Sequence, residues 1–284
     1  MRFGLDVPTD EEFSDPRALA ELAAEAEAAG WDGFFIWDTL FKPEQPTFAV
    51  ADPWIALTAI ALRTQSITLG IMVTPLPRHR PWLVARQAAM IDQLSGGRLI
   101  LGVGLGFKEE EFTTFGEEAD LRVRAAKLDE GLAILDGLWQ GKPFSHNGEH
   151  YQLENALLFP MPAQKPRIPI WLGGGWPRRK PFQRAARWDG VYPLSDHQRT
   201  HQQLSPADIR EMVTYIQDIR RGQGITGPFD VALAGMTPRD DPQRAAEIVS
   251  AYADAGLTWR LEYDQGSLSD YRAFVRQGPP HLAD

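Results

Sequence analysis

The stretch Leu94-Ser95-Gly96-Gly97-Arg98-Leu99-Ile100-Leu101-Gly102-Val103-Gly104-Leu105-Gly106 carries the reading of the fold. Leu99, Ile100 and Leu101 form a short apolar run bounded by glycines, the pattern of a parallel strand buried on both faces. The Gly-x-Gly-x-Gly that follows opens at the C-terminal end of that strand, where α/β folds bind ligands. Glycine there permits positive φ and lets backbone amides approach a flat ring or an anion. The same glycines also suit a plain βα turn, so the neighbouring segments must decide.

Outward from this stretch, strand and helix alternate. Strands are expected at 3–7, 32–37, 67–73, 98–103, 168–172, 189–192, 229–234 and 259–263. Helices are expected at 16–29, 52–64, 81–94, 121–139, 181–187, 206–221, 242–255 and 269–276, the first capped by Asp15 and closed by Gly30. Between 141 and 166 the rhythm breaks, with Gly141, Pro143, Gly148, Pro160, Pro162 and Pro166 punctuating a segment that holds Phe144, Tyr151 and Phe159. That segment reads as an insertion with a short hairpin, not as a domain boundary. Eight parallel strands with helices between them predict an α/β fold, a (β/α)8 TIM barrel in a single domain over 1–284, with an insertion after the fourth βα unit.

Composition narrows the function. The chain has 284 residues, 43% hydrophobic and 24% charged, with a net charge of -9. About 250 residues suffice for one barrel. Acidic balance argues against nucleic acid or an anionic membrane as partner, because phosphate affinity needs clustered Lys and Arg. Without cysteine there are no disulfides, iron–sulfur clusters or thiol nucleophiles. The first ten residues lack an apolar signal core and no apolar run is long enough for a bilayer, so a cytoplasmic enzyme acting on a small molecule is expected.

A barrel places function at the C-terminal strand ends: Asp6, Trp37-Asp38-Thr39, Met72-Val73-Thr74, Gly104 to Phe107, Gly173 to Arg179, Tyr192, Gly235 and Glu262-Tyr263. Aromatic, small and weakly charged, such a mouth suits a flat conjugated cofactor better than a metal or a sugar phosphate. Asp38 and Glu262 can accept ligand N–H groups or handle protons, and can equally cap local backbone. Gly173-Gly174-Gly175-Trp176-Pro177-Arg178-Arg179 offers amides and two guanidinium groups to a phosphate, or is a glycine turn with solvated arginines. Arg78, His79 and Arg80 read as a solvated trio in a Pro-bracketed loop. His197 and His201 are spaced for one helical face but lack a third ligand, so no metal site is expected. Phe107 stands where a dinucleotide fingerprint would have its third glycine, and no P-loop is present. Trp31, Trp54, Trp82 and Trp139 fit packing roles.

The motifs together resemble the bacterial-luciferase-like flavin-dependent oxidoreductases, which use FMN or the deazaflavin F420. The likeness covers nearly the whole chain. It lies in Ala28 to Asp38, in Ala85 to Arg98 running into Leu101-Gly102-Val103-Gly104-Leu105-Gly106, in Glu111-Phe112 with Gly116, and in Pro169 to Gly174 with Arg184 to Arg187. It implies a barrel holding a reduced flavin across the strand ends, with a non-prolyl cis peptide near Met72-Val73. Met72, Val73 and Thr74 would flank the ring, Gly104 and Gly106 would leave it space, and the loop from Gly173 to Arg179 would approach the cofactor phosphate. Two departures stand out. Thr39 occupies the position where deazaflavin-using members often carry a proton-shuttling His. Leu105 replaces an Arg that can contact phosphate, which shifts that contact towards Arg178 or Arg179.

The leading expectation is an FMN-dependent monooxygenase that takes FMNH2 from a separate flavin reductase and oxidises a small organic substrate with O2. Asp38, Thr39 and Glu262 would make polar contacts at the reacting end, and Trp37, Phe41, Trp54 and Phe107 would line the substrate cavity. The alternatives are F420-dependent hydride transfer without oxygen and a non-catalytic flavin-binding protein; a metal-dependent sugar-processing barrel lacks ligands. A homodimer is a further expectation from the family.

Overall fold

Strand and helix alternate throughout the computed structural model, which describes residues 1–195 and 203–280. In chain order the elements are β1 (Arg2–Val7), α1 (Pro16–Ala28), β2 (Gly33–Ile36), α2 (Pro53–Arg63), β3 (Thr68–Pro75), α3 (Pro81–Ser95), β4 (Leu99–Gly104), α4 (Glu110–Thr113) and α5 (Leu121–Leu138). After the hairpin β5 (Phe144–Asn147) and β6 (Gln152–Ala156) come β7 (Ile170–Trp176), α6 (Arg179–Ala185), β8 (Gly190–Ser195), α7 (Pro206–Gly222), β9 (Asp230–Gly235), α8 (Pro242–Asp254), β10 (Trp259–Glu262) and α9 (Leu268–Arg276). Strand order β1-β10-β9-β8-β7-β4-β3-β2 closes on itself, so the fold is the expected (β/α)8 barrel, with β5-β6 as a separate antiparallel pair. Contacts group the chain into two compact units, one of 1–7, 22–35 and 169 onward, the other of 8–21 and 36–168.

The first unit packs around aromatic rings. Phe35 lies 5.6 Å from Trp171 and 5.5 Å from Trp259, and all three are fully buried. Gly190 makes the cluster possible, since a Cβ there would stand 2.5 Å from the Trp171 ring. Arg220 of α7 is buried and donates to the carbonyls of Ala186, Trp188 and Gly227 at 3.0, 3.0 and 2.6 Å, fastening the helix to two connecting loops.

In the second unit the Ser-Gly-Gly-Arg motif is structural. α3 starts at Pro81 and stops at Gly96, whose φ of 70° accommodates the left-handed cap that ends many helices. The chain then presents Arg98, whose guanidinium donates to Ala61 O, Thr64 O, Thr64 Oγ1 and Ile67 O. One side chain thereby satisfies carbonyls left open at the end of α2 and holds the start of β3. Asp92 of α3, fully buried, accepts from the backbone and side-chain amides of Gln164 at 2.9 and 2.7 Å and so anchors the end of the insertion.

Boundaries differ from the sequence reading in the fifth barrel unit. β7 does not stop before the glycines but continues through Gly173-Gly174-Gly175-Trp176, pairing in register with Tyr192 to Ser195 of β8. α6 consequently begins at Arg179, ahead of the expected 181. The turn of helix at Glu110–Thr113 was too short to give a periodic signal. His197 and His201 lie outside the described residues.

Candidate active site

In the second unit, the C-terminal end of β3 carries one extra residue relative to β4. Ile71 pairs with Leu101 and Thr74 with Val103, and the Met72-Val73 peptide in the bulge is cis, as the resemblance implied. The facing glycines follow from this bulge. A Cβ on Gly102 would stand 2.2 Å from Ile71 O, and one on Gly104 would stand 2.9 Å from Val73 Cγ2. At Gly106, with φ of 84°, it would meet the Phe112 ring at 2.8 Å. Val73 and Phe112 therefore pack closely against Gly104 and Gly106, and a side chain at either position would collide with them.

The segments that follow β2, β3 and β4 carry a chain of buried charge. Arg78 Nη2 donates to Asp38 Oδ1 and Nη1 donates to Glu111 Oε2 at 2.8 Å, while Glu111 Oε1 accepts from Leu40 N at 2.9 Å. The side chains of Asp38, Arg78 and Glu111 are only 3, 7 and 6% exposed. His79 Nε2 faces Asp38 Oδ2 at 3.4 Å. Arg78 is thus no solvated surface charge. Its partners lie 40 and 33 residues away, a separation that no local pattern reports.

Two further groups await partners in this unit. Thr74 is fully buried and its Oγ1 has none among the described residues. Arg124 of α5 is 3% exposed, lies 4.4 Å over the Phe112 ring, reaches Leu105 O only at 3.5 Å, and has an unpartnered Nε. Burial holds its guanidinium below the usual arginine range, with Glu109 and Asp120 acting in the opposite direction. A desolvated guanidinium beside the strand end fits an anionic group, and Thr74 offers that group's scaffold a hydroxyl. These atoms fit a phosphorylated flavin or deazaflavin. Sequence reading missed Arg124, whose only signal was an arginine on the expected helix 121–139.

The other expected aromatic residues divide. Phe41 is half-buried and edge-on to Phe115 at 5.5 Å, and Trp37 and Thr39 are half-buried. Phe107 is 74% exposed. Trp54 is buried in the first turn of α2, and its indole N–H has no partner among the described residues.

In the first unit two expectations change. Glu262 is fully buried, and its oxygens already accept from Thr237 N at 2.8 Å, Thr237 Oγ1 at 2.5 Å and Arg260 Nε at 3.3 Å. Strand alternation explains this, because Trp259 joins the Phe35 and Trp171 rings while Arg260, and with it Glu262, points to the opposite face. Its carboxylate ties β10 to the end of β9 and is not offered to a ligand. The phosphate loop is the second change. Gly174 is glycine because a Cβ would stand 2.4 Å from Pro181 of α6, Trp176 is buried against Phe182, and Arg179 pairs with Glu211 at 2.7 Å while stacking on Trp176 and Tyr215. Gly173 and Gly175 stand in the β7–β8 ladder, and Arg178 precedes the seven-residue α6. Asp6 remains at the end of β1, its Oδ2 accepting from the buried Tyr192 hydroxyl at 3.1 Å. Burial and the Asp6 charge hold that phenol well above its ordinary value.

A parallel barrel with functional groups at the strand ends defines the class. The family model described as luciferase-like monooxygenase matches residues 1–274, and the chain belongs to that family. A protein named F420-dependent glucose-6-phosphate dehydrogenase, from Mycobacterium avium (strain 104), is 37% identical over 171 residues, covering 59% of this chain and 50% of that protein. The chain thus spans about half the length of the curated relatives it matches. Among solved structures, an F420-dependent secondary alcohol dehydrogenase in complex with an F420-acetone adduct superposes with a TM-score of 0.82 at 16% identity, covering 100% of this chain and 99% of the other. A monooxygenase from Streptomyces bottropensis gives 0.78 at 18% identity, covering 98% and 97%. At such identities these two establish the fold alone.

Proposed function

We propose that this protein is an F420-dependent oxidoreductase that moves a hydride between the deazaflavin and a small alcohol or carbonyl compound. The observation that carries this reading is the 31 to 37% sequence identity with curated relatives named F420-dependent glucose-6-phosphate dehydrogenase. It reverses the order expected from sequence, where the FMN-dependent oxygenase stood first. The site supports the reading with Thr74 and Arg124, which would hold the phosphorylated cofactor, and with the buried chain from Glu111 to His79, which supplies fixed polar groups after the C-terminal ends of β2, β3 and β4. When bound, the deazaflavin supplies a two-electron acceptor that reacts as a hydride carrier. The residues then have to orient it, exclude water and handle one proton. A separate flavin reductase has no part in this reading.

The test is a paired fluorescence titration with F420 and FMN, oxidised and reduced, at fixed salt. Binding of F420 at least about tenfold tighter, about 1.4 kcal/mol, is the expected result. Preference for reduced FMN together with an O2-dependent product returns the oxygenase to first place, and binding of neither removes the catalytic reading.

A further inference from the structure

We propose that the substrate is an uncharged, apolar alcohol or ketone, held by an aromatic cluster on the segments that follow β2 and β4, and that phosphorylated or carboxylated substrates are turned away. This rests on the hydride-transfer reading above and deepens it by naming the substrate class. Barrels bind their ligands on the segments after the strands. In the second unit these run from β2 to α2, from β3 to α3 and from β4 to α5. Leu40, Phe107 and Phe115 are exposed on them, and Phe41 meets Phe115 edge-on at 5.5 Å. Two polar contacts lace the same segments together. Leu40 N donates to Glu111 Oε1 at 2.9 Å, and Lys108 Nζ donates to the Glu44 carboxylate at 2.7 and 2.8 Å. The rings therefore stand on tied backbone, and an exposed apolar cluster at strand ends is a surface that an apolar ligand covers.

Charge decides against an anion. Segments 37–52, 76–80 and 105–120 hold nine carboxylates and four cations, the latter being Lys42, Arg78, Arg80 and Lys108. None of the four is poised to receive a phosphate. Lys42 Nζ lies 2.6 Å from Asp10 Oδ2, Lys108 is paired with Glu44, and Arg78 is buried between Asp38 and Glu111. Arg80 lies over the Trp82 ring at 5.9 Å, and that ring packs on Tyr151 of the insertion. The buried Arg124 is assigned above to the cofactor. A cleft of about 710 Å³ in the stretch from α4 to α5 repeats the sign, since Glu109, Glu117, Glu118 and Asp120 line it and its lining includes no cation.

A phosphate ester needs guanidinium or ammonium groups free to pair with it, and here it meets like charge instead. An uncharged chain is indifferent to that field. Each methylene it lays against the rings is worth about three- to fourfold in binding. Specificity thus has an attractive part in the aromatic cluster and a repulsive part in the carboxylates around it.

Substrate scope and cofactor-free binding test the proposal. With F420 and the wild type, kcat/KM should rise about threefold per methylene from 2-butanol through 2-pentanol to 2-hexanol. Glucose 6-phosphate should stay at least about 100-fold below 2-hexanol. Phe107→Ser and Phe115→Ser remove exposed rings and open no cavity. Combined, they should cut the increment per methylene below about twofold while 2-butanol changes by less than about twofold. Saturation-transfer NMR of the cofactor-free protein, with 2-hexanone and glucose 6-phosphate as probes, reads binding without turnover. The alkyl chain of the ketone should give a signal that the double variant loses, and the sugar phosphate should give none. Where F420 binds, the chain-length slope decides: no slope, a slope that survives in the double variant, or glucose 6-phosphate oxidised as well as 2-hexanol overturns the proposal. Where F420 does not bind, the hydride-transfer reading fails by itself and the NMR arm decides, with no ketone signal or a sugar-phosphate signal overturning the substrate class.

Discussion

Arg124 shows how much one side chain changes when burial is known. In the sequence it is one of several arginines on an expected helix; in the fold it is a buried guanidinium that, among the described residues, forms no ion pair, with Glu109 and Asp120 acting on it only from a distance. Burying such a charge costs several kcal/mol, and replacing it by an apolar side chain of similar length is commonly neutral or stabilising. Arg124→Met should therefore leave the midpoint of chemical denaturation unchanged or raise it, while weakening phosphorylated-cofactor affinity by at least about tenfold, about 1.4 kcal/mol. A lowered midpoint with unchanged affinity would make Arg124 a packing residue. Glu262 shows the opposite shift: a plausible ligand contact in the sequence proves to be consumed by Thr237 and Arg260.

Elements in this protein are fastened by single charged residues reaching backbone. Arg98 holds the end of α2, and Glu130 of α5 holds the β5–β6 hairpin by accepting from Glu149 N at 3.0 Å, His150 N at 3.1 Å and Tyr151 N at 3.0 Å, with His146 at 3.2 Å. Burial pushes the Glu130 carboxyl up, but the His150, His146, Tyr151 and Glu149 hydrogen bonds outweigh it and hold the group below its ordinary value. A carboxylate depressed in the folded state contributes stability that is fully present above its unfolded value of about 4.3 and is lost as pH falls through the folded value. Amide hydrogen exchange at Glu149 to Tyr151 should accordingly be protected near neutrality and speed up in acid ahead of the barrel strands. Glu130→Gln should show that faster exchange already at pH 7, with a loss of about 1.5 to 3 kcal/mol. Protection independent of both pH and Glu130 would place the hairpin's stability in its apolar contacts.

For the whole molecule, a homodimer remains a proposal, and the face that fits a second copy is on the second unit. Ile55 and Leu62 of α2 and Leu83, Met90 and Leu94 of α3 are 62, 64, 52, 42 and 45% exposed. Spacings of seven within each helix, with Leu94 four beyond Met90, put these side chains on one stripe per helix. Exposed apolar stripes on neighbouring helices are what a twofold helix-on-helix contact buries. Sedimentation velocity should find a dimer for the wild type and a monomer for Leu62→Glu with Met90→Glu; a wild-type monomer at micromolar concentration would sink the proposal. No helix among the described residues is long and apolar enough to cross a membrane.

The strand–helix rhythm, the hairpin in 141–166 and the family were legible in the sequence because they rest on local signals: apolar period, prolines at helix starts, glycines at helix ends, and an unbroken glycine-bounded motif. Asp38 and Met72-Val73 were legible as positions at strand ends, and the cis peptide between the latter two through the family resemblance. Only the tertiary structure decided which glycines face protein and which face space, since that depends on what packs opposite Gly102, Gly106 and Gly174. It alone joined Asp38 to Arg78, His79 and Glu111, and turned Glu262 and Arg179 away from the expected ligand by supplying partners. The division is physical: backbone propensity and apolar period act over neighbouring residues, whereas the burial and pairing of a charge are set by whatever distant segment the fold brings against it.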